Sequence, residues 1–394
     1  MSSQSVTPRG ERLHIGIFGR RNAGKSSLLN VIVDQDVALV SPVKGTTTDP
    51  VFQAMELLPL GPVTFIDTPG FDDGGSLGAL RMQKTKDILR KTDIALLVTD
   101  TEIGETEQAL IALFAAFGVP YLTVYNVAAP GQNSGPDGVW VNAQTGENVA
   151  ALKEKLTEMG GQDTPAQRLV ADLLTEGDMV VLVVPIDSGA PKGRLILPQQ
   201  QVIRDVLDAQ CIPILTQPEG LTDTLNRLQT PPKIVITDSQ VFQQVAEQTP
   251  GTIPLTSFSI LMARYKGLLD GAVAGAIAID TLQDGDAVLI SEGCTHHRQC
   301  DDIGTVKLPR WIEARTGATP AYTFTSGGGF PEDVGCYKLI IHCGGCMLNT
   351  REMQYRQRLA KEAGVPMTNF GVAISQMQGI LQRCIAPLYD GHPL

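Results

Sequence analysis

Leu13-His14-Ile15-Gly16-Ile17-Phe18-Gly19-Arg20-Arg21-Asn22-Ala23-Gly24-Lys25-Ser26 decides the fold of the N-terminal part of the chain. The apolar run Leu13 to Phe18 predicts a buried strand and the pattern from Ser27 to Val33 predicts a helix, so the loop between them is a P-loop in the context it needs. Its glycines let backbone N–H groups converge on phosphate oxygens at a helix N-terminus. Lys25 is expected to reach the β- and γ-phosphates of a nucleoside triphosphate, and Ser26 to hold Mg²⁺. Gly19, Asn22, Ala23, Gly24 and Ser27 complete the expected nucleotide contacts.

Outward from this loop, Gly45-Thr46-Thr47-Thr48-Asp49 lies in a polar segment. One of Thr46, Thr47 and Thr48 is expected to close over the γ-phosphate and Mg²⁺. A predicted strand, Val63 to Ile66, ends in Asp67-Thr68-Pro69-Gly70, which places Asp67 as the second carboxylate on the Mg²⁺ side and Gly70 against the γ-phosphate. Lys25 and Asp67 are therefore the expected catalytic pair. Together these segments resemble a translation-factor-type GTPase domain, which implies GTP as the nucleotide. Gly-x-x-Asn-x-Gly-Lys-Ser with Gly-Thr-Thr is similar to its potassium-activated branch, which implies a K⁺ ion seated with help from Asn22. Phe71-Asp72-Asp73 stands where small GTPases carry a water-positioning Gln, so slow intrinsic hydrolysis is expected, with K⁺ supplying part of the positive charge.

Further strands are predicted at Ile94 to Thr99, Tyr121 to Asn126 and Val139 to Val141, and helices at Glu105 to Phe117 and Asn148 to Leu156. Asn126 opens the base-reading segment, but Val127-Ala128-Ala129 replaces the Lys-x-Asp of the family pattern. Loss of that carboxylate, the partner of the guanine N1 and N2 donors, is expected to weaken the preference for guanine over adenine. Asn142-Ala143 stands where Ser-Ala usually contacts the base.

At 394 residues with 43% hydrophobic content, the chain is long enough for two or three cores. A net charge of −11 and pI near 5.0 argue against a nucleic-acid binder. Seven cysteines are too few and too odd in number for a disulfide scaffold. With no apolar leader in Met1 to Arg12 and no run of membrane-spanning length, a cytoplasmic protein without membrane contact is expected. Gly160 to Pro165 reads as a linker. Beyond it, Met179 to Ile186, Gln199 to Ala209, Lys233 to Thr237 and Gln240 to Glu247 predict a small α/β domain, in which Asp187 to Arg194 reads as a surface loop ahead of an anion-binding one. From Pro254 a third region opens with helices predicted at Ser257 to Leu269 and Ala272 to Leu282.

Chemistry returns near the C-terminus. A predicted strand, Tyr337 to Ile341, delivers His342-Cys343-Gly344-Gly345-Cys346, and another, Ala287 to Ile290, runs into Ser291-Glu292-Gly293-Cys294-Thr295-His296-His297. Cys346 precedes a helix expected from Asn349 or Thr350 to about Ala363, whose dipole favours thiolate. Two cysteines three apart alone fit a redox pair, half a zinc site or core thiols. Adding Cys294, His296 and His342 points to a metal site, and these residue types suit zinc and iron–sulfur equally. Cys211, Cys300, Cys336 and Cys384 fall outside any such spacing. Gly327-Gly328-Gly329 reads as a turn or as a close backbone approach to the metal group.

The P-loop domain, Ala190 to Gln201, Cys294-x-His296 and His342-Cys343-x-x-Cys346, in this order, resemble the GTPases that mature [FeFe]-hydrogenase, over nearly the whole chain. The resemblance implies an α/β protein of three domains: a P-loop GTPase domain (1–160), a small α/β dimerisation domain (166–253) and an α/β iron–sulfur domain (254–394). It implies a [4Fe–4S] cluster on Cys294, Cys343 and Cys346, with His296 and His342 as candidates for the fourth position or for supporting it. It further implies a homodimer or higher homo-oligomer that receives a diiron precursor from two radical-SAM maturases and delivers it to apo-[FeFe]-hydrogenase. The alternative is a zinc-containing switch GTPase assisting RNA modification or ribosome assembly, against which the acidic pI counts.

Overall fold

The computed structural model describes residues 9–34, 50–70, 76–127, 138–160, 169–186, 195–293 and 302–389. They fall into two compact units, Met1–Pro165 and Ala166–Leu394.

The first unit is built on six strands: β1 (Leu13–Phe18), β2 (Val51–Leu57), β3 (Gly61–Asp67), β4 (Ile94–Thr99), β5 (Tyr121–Asn126) and β6 (Gly138–Val141). Their order is β2-β3-β1-β4-β5-β6, with β2 antiparallel to β3 and every other pair parallel. Central parallel strands are buried on both faces, so they read as unbroken apolar runs. In β4, Ile94, Leu96 and Val98 enter one core and Ala95 and Leu97 the other, as alternating side chains require. Helices α1 (Lys25–Asp34) and α4 (Val149–Gly160) cover the first face through Leu28, Ile32, Leu152 and Leu156; α2 (Ser76–Leu89) and α3 (Glu105–Phe117) cover the second through Ile88, Leu110 and Phe114. The carboxyl ends of β1 and β3 carry Gly19 and Asp67 to one edge of the sheet, where open α/β sheets bind their ligands.

The second unit holds two parallel four-stranded sheets. One has the order β10-β9-β7-β8, from β7 (Met179–Val183), β8 (Ile212–Thr216), β9 (Ile234–Thr237) and β10 (Leu255–Ser257). The other has the order β12-β11-β13-β14, from β11 (Ala287–Glu292), β12 (Ala321–Ser326), β13 (Leu339–His342) and β14 (Met367–Asn369). Helices α5 (Leu197–Asp208), α6 (Leu221–Arg227), α7 (Phe242–Gln248), α8 (Phe258–Tyr265), α9 (Leu269–Ala276), α10 (Leu308–Thr316), α11 (Thr350–Glu362), α12 (Phe370–Met377) and α13 (Leu381–Ile385) connect and cover them. A single core runs from Val181 and Ile236 to Val288, Ile341 and Val372. The opposite face of the second sheet, with Leu289 and Ile340, packs on Met353 and Ala360 of α11.

The expected helix Ser257 to Leu269 is three pieces. Ser257 ends β10 and caps α8 by accepting from the Ile260 N–H, α8 stops at Tyr265, and Gly267 at φ 69° turns the chain into α9. Strand β10 follows the expected boundary at Ile253 and Pro254 and pairs with β9 of the preceding sheet.

Candidate functional sites: the P-loop and the Cys343 loop

Gly19 has φ 147°, and a Cβ there would lie 2.2 Å from the Val98 carbonyl oxygen; Gly24 has φ 91°, and a Cβ there would lie 2.1 Å from Asn126 Nδ2. No side chain fits either place, so the two glycines set the loop's path. Asn22, at φ 64°, makes the bend between them, a conformation Asn tolerates. Lys25 is buried and donates from Nζ to the Gly19 and Arg20 carbonyl oxygens at 2.9 and 2.7 Å, lying back across its own loop. Ser26 Oγ donates to Asp67 Oδ2 at 2.6 Å. Asp67 Oδ1 is buried with no hydrogen-bond partner among the described residues. Burial raises the Asp67 pKa above its ordinary 3.8, opposed by the Ser26 hydrogen bond and the Lys25 charge. A hydroxyl beside a carboxylate with one unsatisfied oxygen fits a small hard cation, and Ser26 and Asp67 would hold Mg²⁺ here.

Asn126 braces the loop from the other side: Nδ2 donates to the Ala23 carbonyl at 3.0 Å, and Oδ1 accepts from the Ala143 N–H at 3.0 Å. The segment Asn142-Ala143 is thereby tied to the P-loop. Ser27 is exposed in the first turn of α1. Gly70 packs so closely on Arg21 that a Cβ would lie 2.7 Å from the Arg21 Cα. Thr46, Thr47, Thr48, Phe71, Ala128 and Ala129 lie outside the described residues.

In the second unit, β11 and β13 pair in parallel with Ser291 opposite His342, so the residues after each strand end side by side. Cys343 Sγ accepts from the Gly293 N–H at 3.0 Å and from the Gly345 N–H at 3.4 Å. Burial pushes the Cys343 thiol up to about 11, and the two N–H groups work against that shift. Gly345 needs φ 62°, the bend that returns the chain toward Cys346, which is half-buried. Four residues on, α11 begins, capped by Asn349 Oδ1 accepting from the Glu352 N–H at 3.1 Å.

His342 is fully buried, and burial, then the Arg356 charge, lowers its pKa to about 3. Arg356 Nη1 contacts His342 Nε2 at 2.9 Å; a guanidinium only donates, so Nε2 accepts and Nδ1 carries the proton it gives to the Cys343 carbonyl at 2.8 Å. Both ring nitrogens are thus engaged, which makes His342 a strut between α11 and the Cys343 loop. Arg356, buried, also donates from Nη2 to Glu352 Oε1 at 2.6 Å and to the Gly327 carbonyl at 2.8 Å, and lies over the Phe330 ring. The first of the three glycines is therefore a turn held between Arg356 and the Glu292 carbonyl, which accepts from the Gly327 N–H at 2.9 Å. Lys266, buried in turn, donates from Nζ to the Gly345 and Leu348 carbonyls, each at 2.5 Å.

Lys266 and Arg356 are absent from the sequence-based site. Lys266 is separated from Gly345 by 79 residues, and Arg356 reads as one charge among many on a polar helix; its one local signal is the spacing of four from Glu352. Cys294, His296, His297 and Cys300 lie outside the described residues, and the described residues alone contain no cluster of three or more metal-ligating side chains. The donors present fit a soft metal group: two thiols on one tight loop, one already receiving two backbone N–H bonds of the kind that stabilise a thiolate. Cys211 and Cys384 are buried and Cys336 is exposed.

Family models match three stretches: the 50S ribosome-binding GTPase over residues 14–127, the hydrogen maturase F dimerization domain over 169–267 and the hydrogen maturase F tetramerization domain over 270–387. The first unit is therefore a GTPase domain, and the two models that follow support homo-oligomerisation. The region read as an iron–sulfur domain is the one matched by the tetramerization model. The chain is 32% identical over 163 residues to the tRNA modification GTPase MnmE of Nitrosospira multiformis, covering 38% of this chain and 36% of that protein. It is 37% identical over 131 residues to the GTPase Der of Campylobacter fetus, covering 32% of this chain and 28% of that protein. The matches thus span about a third of these relatives' length. Era of Aquifex aeolicus aligns with a TM-score of 0.32 at 18% identity, over 52% of this chain and 93% of that one. Among the described residues no helix is long and apolar enough to cross a membrane. With both hydrogen maturase F models following a GTPase domain in one chain, the protein belongs to the hydrogen maturase F family of GTPases.

Proposed function

We propose that this protein is a GTP-hydrolysing carrier of [FeFe]-hydrogenase maturation, which holds a [4Fe–4S] cluster on Cys294, Cys343 and Cys346. It receives a diiron precursor made by two radical-SAM maturases and delivers it to apo-hydrogenase in the cytoplasm. The observation that carries this reading is the 3.0 Å bond from the Gly293 N–H to Cys343 Sγ. Gly293, the residue before Cys294 in sequence, donates to the thiol of Cys343, and that supports a site drawing on both strand ends. Three thiolates on a four-iron cluster leave one iron without a protein thiolate, a place where cargo attaches and leaves. Lys266 and His342 fix the path of the Cys343–Cys346 loop, and Arg356 fixes His342. His296 is the remaining candidate for the fourth position.

In the GTPase domain, Lys25 reaches the β- and γ-phosphates, Ser26 and Asp67 hold Mg²⁺, one of Thr46, Thr47 and Thr48 closes over the γ-phosphate, and Asn22 helps seat K⁺. We place the working division of the chain at 1–160, 166–253 and 254–394, for nucleotide, association and cluster. The second reading, a zinc-containing switch GTPase assisting RNA modification or ribosome assembly, draws on the likeness to MnmE, but that likeness covers only 38% of this chain. Anaerobic reconstitution separates the two: the carrier reading expects iron and sulfide retained through Cys294, Cys343 and Cys346, and zinc retained on the same residues in place of iron would refute it.

A further inference from the structure

Two adjacent arginines stand in the P-loop, and among the described residues only Arg20 has polar partners. Arg20 is committed to the start of α3: its Nη2 lies 3.1 Å from Asp100 Oδ1 and contacts Thr101 Oγ1, and its Nε lies 3.4 Å from Glu107 Oε1. Glu107 is itself buried and caps α3 by accepting from the Gly104 N–H at 3.0 Å. Arg20 therefore anchors the loop to the body of the domain. Arg21 is exposed and engages no partner among the described residues.

The backbone of Arg21 lies in a crowded seam. A Cβ on Gly70 would come 2.7 Å from the Arg21 Cα, 2.9 Å from its nitrogen and 3.0 Å from its Cβ. Gly70 closes the Asp67-Thr68-Pro69-Gly70 turn whose first residue is bonded to Ser26, so the Arg21 Cβ sits beside the turn that, on the proposed reading, faces the terminal phosphate. A long side chain ending in a planar fork of five N–H donors matches phosphate oxygens. The residue after Gly70 in sequence is Phe71, whose side chain carries no hydrogen-bond donor. We propose that Arg21 is a catalytic arginine carried within the P-loop itself, its guanidinium on the γ-phosphate oxygens as charge develops. The inference rests on the reading of this unit as a working GTPase.

In the step concerned, a water oxygen bonds to the γ-phosphorus, and the bond from that phosphorus to the β,γ-bridging oxygen breaks with its electron pair staying on GDP. The water's proton leaves with the inorganic phosphate or to solvent. Arg21 changes no bond; it stabilises negative charge on the transferring group, the role other GTPases assign to an arginine supplied in cis or by a partner.

The test uses the full chain with Mg²⁺. Single-turnover GTP hydrolysis is measured in K⁺ and in Na⁺ for the wild type, Arg21→Ala, Arg21→Gln and Arg21→Lys, alongside affinities for GTP, GDP and GDP–aluminium fluoride. Arg21→Ala and Arg21→Gln should lower the rate about tenfold or more in both salts, short of a water-excluded arginine finger because Arg21 is exposed. GTP affinity should change less than about threefold, GDP–aluminium fluoride binding should weaken more than GDP binding, and Arg21→Lys should restore part of the rate. A wild type that hydrolyses GTP while Arg21→Ala matches or exceeds its rate overturns the inference and leaves the GTPase reading standing. Equal loss of GTP and GDP–aluminium fluoride affinity with an unchanged saturated rate also overturns it, by showing a uniform binding contact. A wild type without hydrolysis overturns both.

Discussion

The P-loop and the Cys343 loop both follow the carboxyl ends of parallel strands, yet their polar groups are spent in opposite ways. At the P-loop the charged side chains are held near a place a ligand can fill: Asp67 Oδ1 is buried without a hydrogen-bond partner among the described residues, and Lys25 Nζ donates to the Gly19 and Arg20 carbonyls of its own loop. At the Cys343 loop the polar side chains are bonded inward, His342 by both ring nitrogens, Arg356 by three acceptors and Lys266 by two carbonyls. The first arrangement suits a soluble anion that arrives with its own cation and departs after reaction. The second suits a group that is loaded once. Burial pushes the Cys343 thiol up to about 11, so a metal bound there would displace its proton and loading would release acid.

That contrast breaks most visibly if the two chemistries prove to be coupled. Cys294→Ser, Cys343→Ser and Cys346→Ser each replace a soft ligand by a hydroxyl, and reconstituted protein should hold less than about a tenth of the wild-type iron while GTP hydrolysis stays within about twofold. Cys336→Ser, at an exposed position, should load fully. Iron retained in Cys294→Ser but lost in Cys300→Ser or Cys336→Ser would show that the ligands are misassigned.

The reciprocal change is Lys25→Ala, which removes the expected contact to the β- and γ-phosphates. Hydrolysis should fall about a hundredfold or more, with iron content unchanged by inductively coupled plasma analysis. Loss of iron in that variant would mean that the two units do not act independently.

A smaller effect sharpens the inward-bonded side of the comparison. Arg356→Leu leaves Glu352 buried without its cation and His342 without its donor, and should lower the unfolding free energy by about 3 kcal/mol, read as a lower denaturant midpoint of the second unit. GTP hydrolysis in the first unit should be unaffected. An unchanged midpoint would show that the Arg356 network adds no net stability.

The smallest effects belong to selectivity. Hydrolysis should run several-fold faster in K⁺ than in Na⁺, and equal rates would remove Asn22 as a cation-seating residue. A GTP preference over ATP of a hundredfold or more, about 2.7 kcal/mol, would show that guanine is read without a carboxylate at position 129.

How far the sequence foretold these sites follows from what each element packs against. β1, β4 and β5 lie inside the first sheet, carry unbroken apolar runs and were legible to the residue. β2, β8, β10, β12 and β14 are less legible: all five are edge strands, where one side of the backbone is unpaired and polar residues are tolerated, as in the Ala321–Ser326 run. The P-loop was legible because its chemistry is local, with Lys25 only six positions from Gly19. The Cys343 loop was half legible. Its thiols announce themselves, whereas its supports reach it from Lys266 and Arg356 across the fold, and no spacing in a single sequence records such a contact.

An iron–sulfur cluster at the strand ends of the second unit, as proposed, is read most directly by anaerobic metal and sulfide analysis with visible absorption on the purified, reconstituted protein. Such a cluster gives a brown protein with broad thiolate-to-iron absorption and about four iron and four sulfide per chain. A colourless protein carrying stoichiometric zinc, with no bound sulfide, would contradict it.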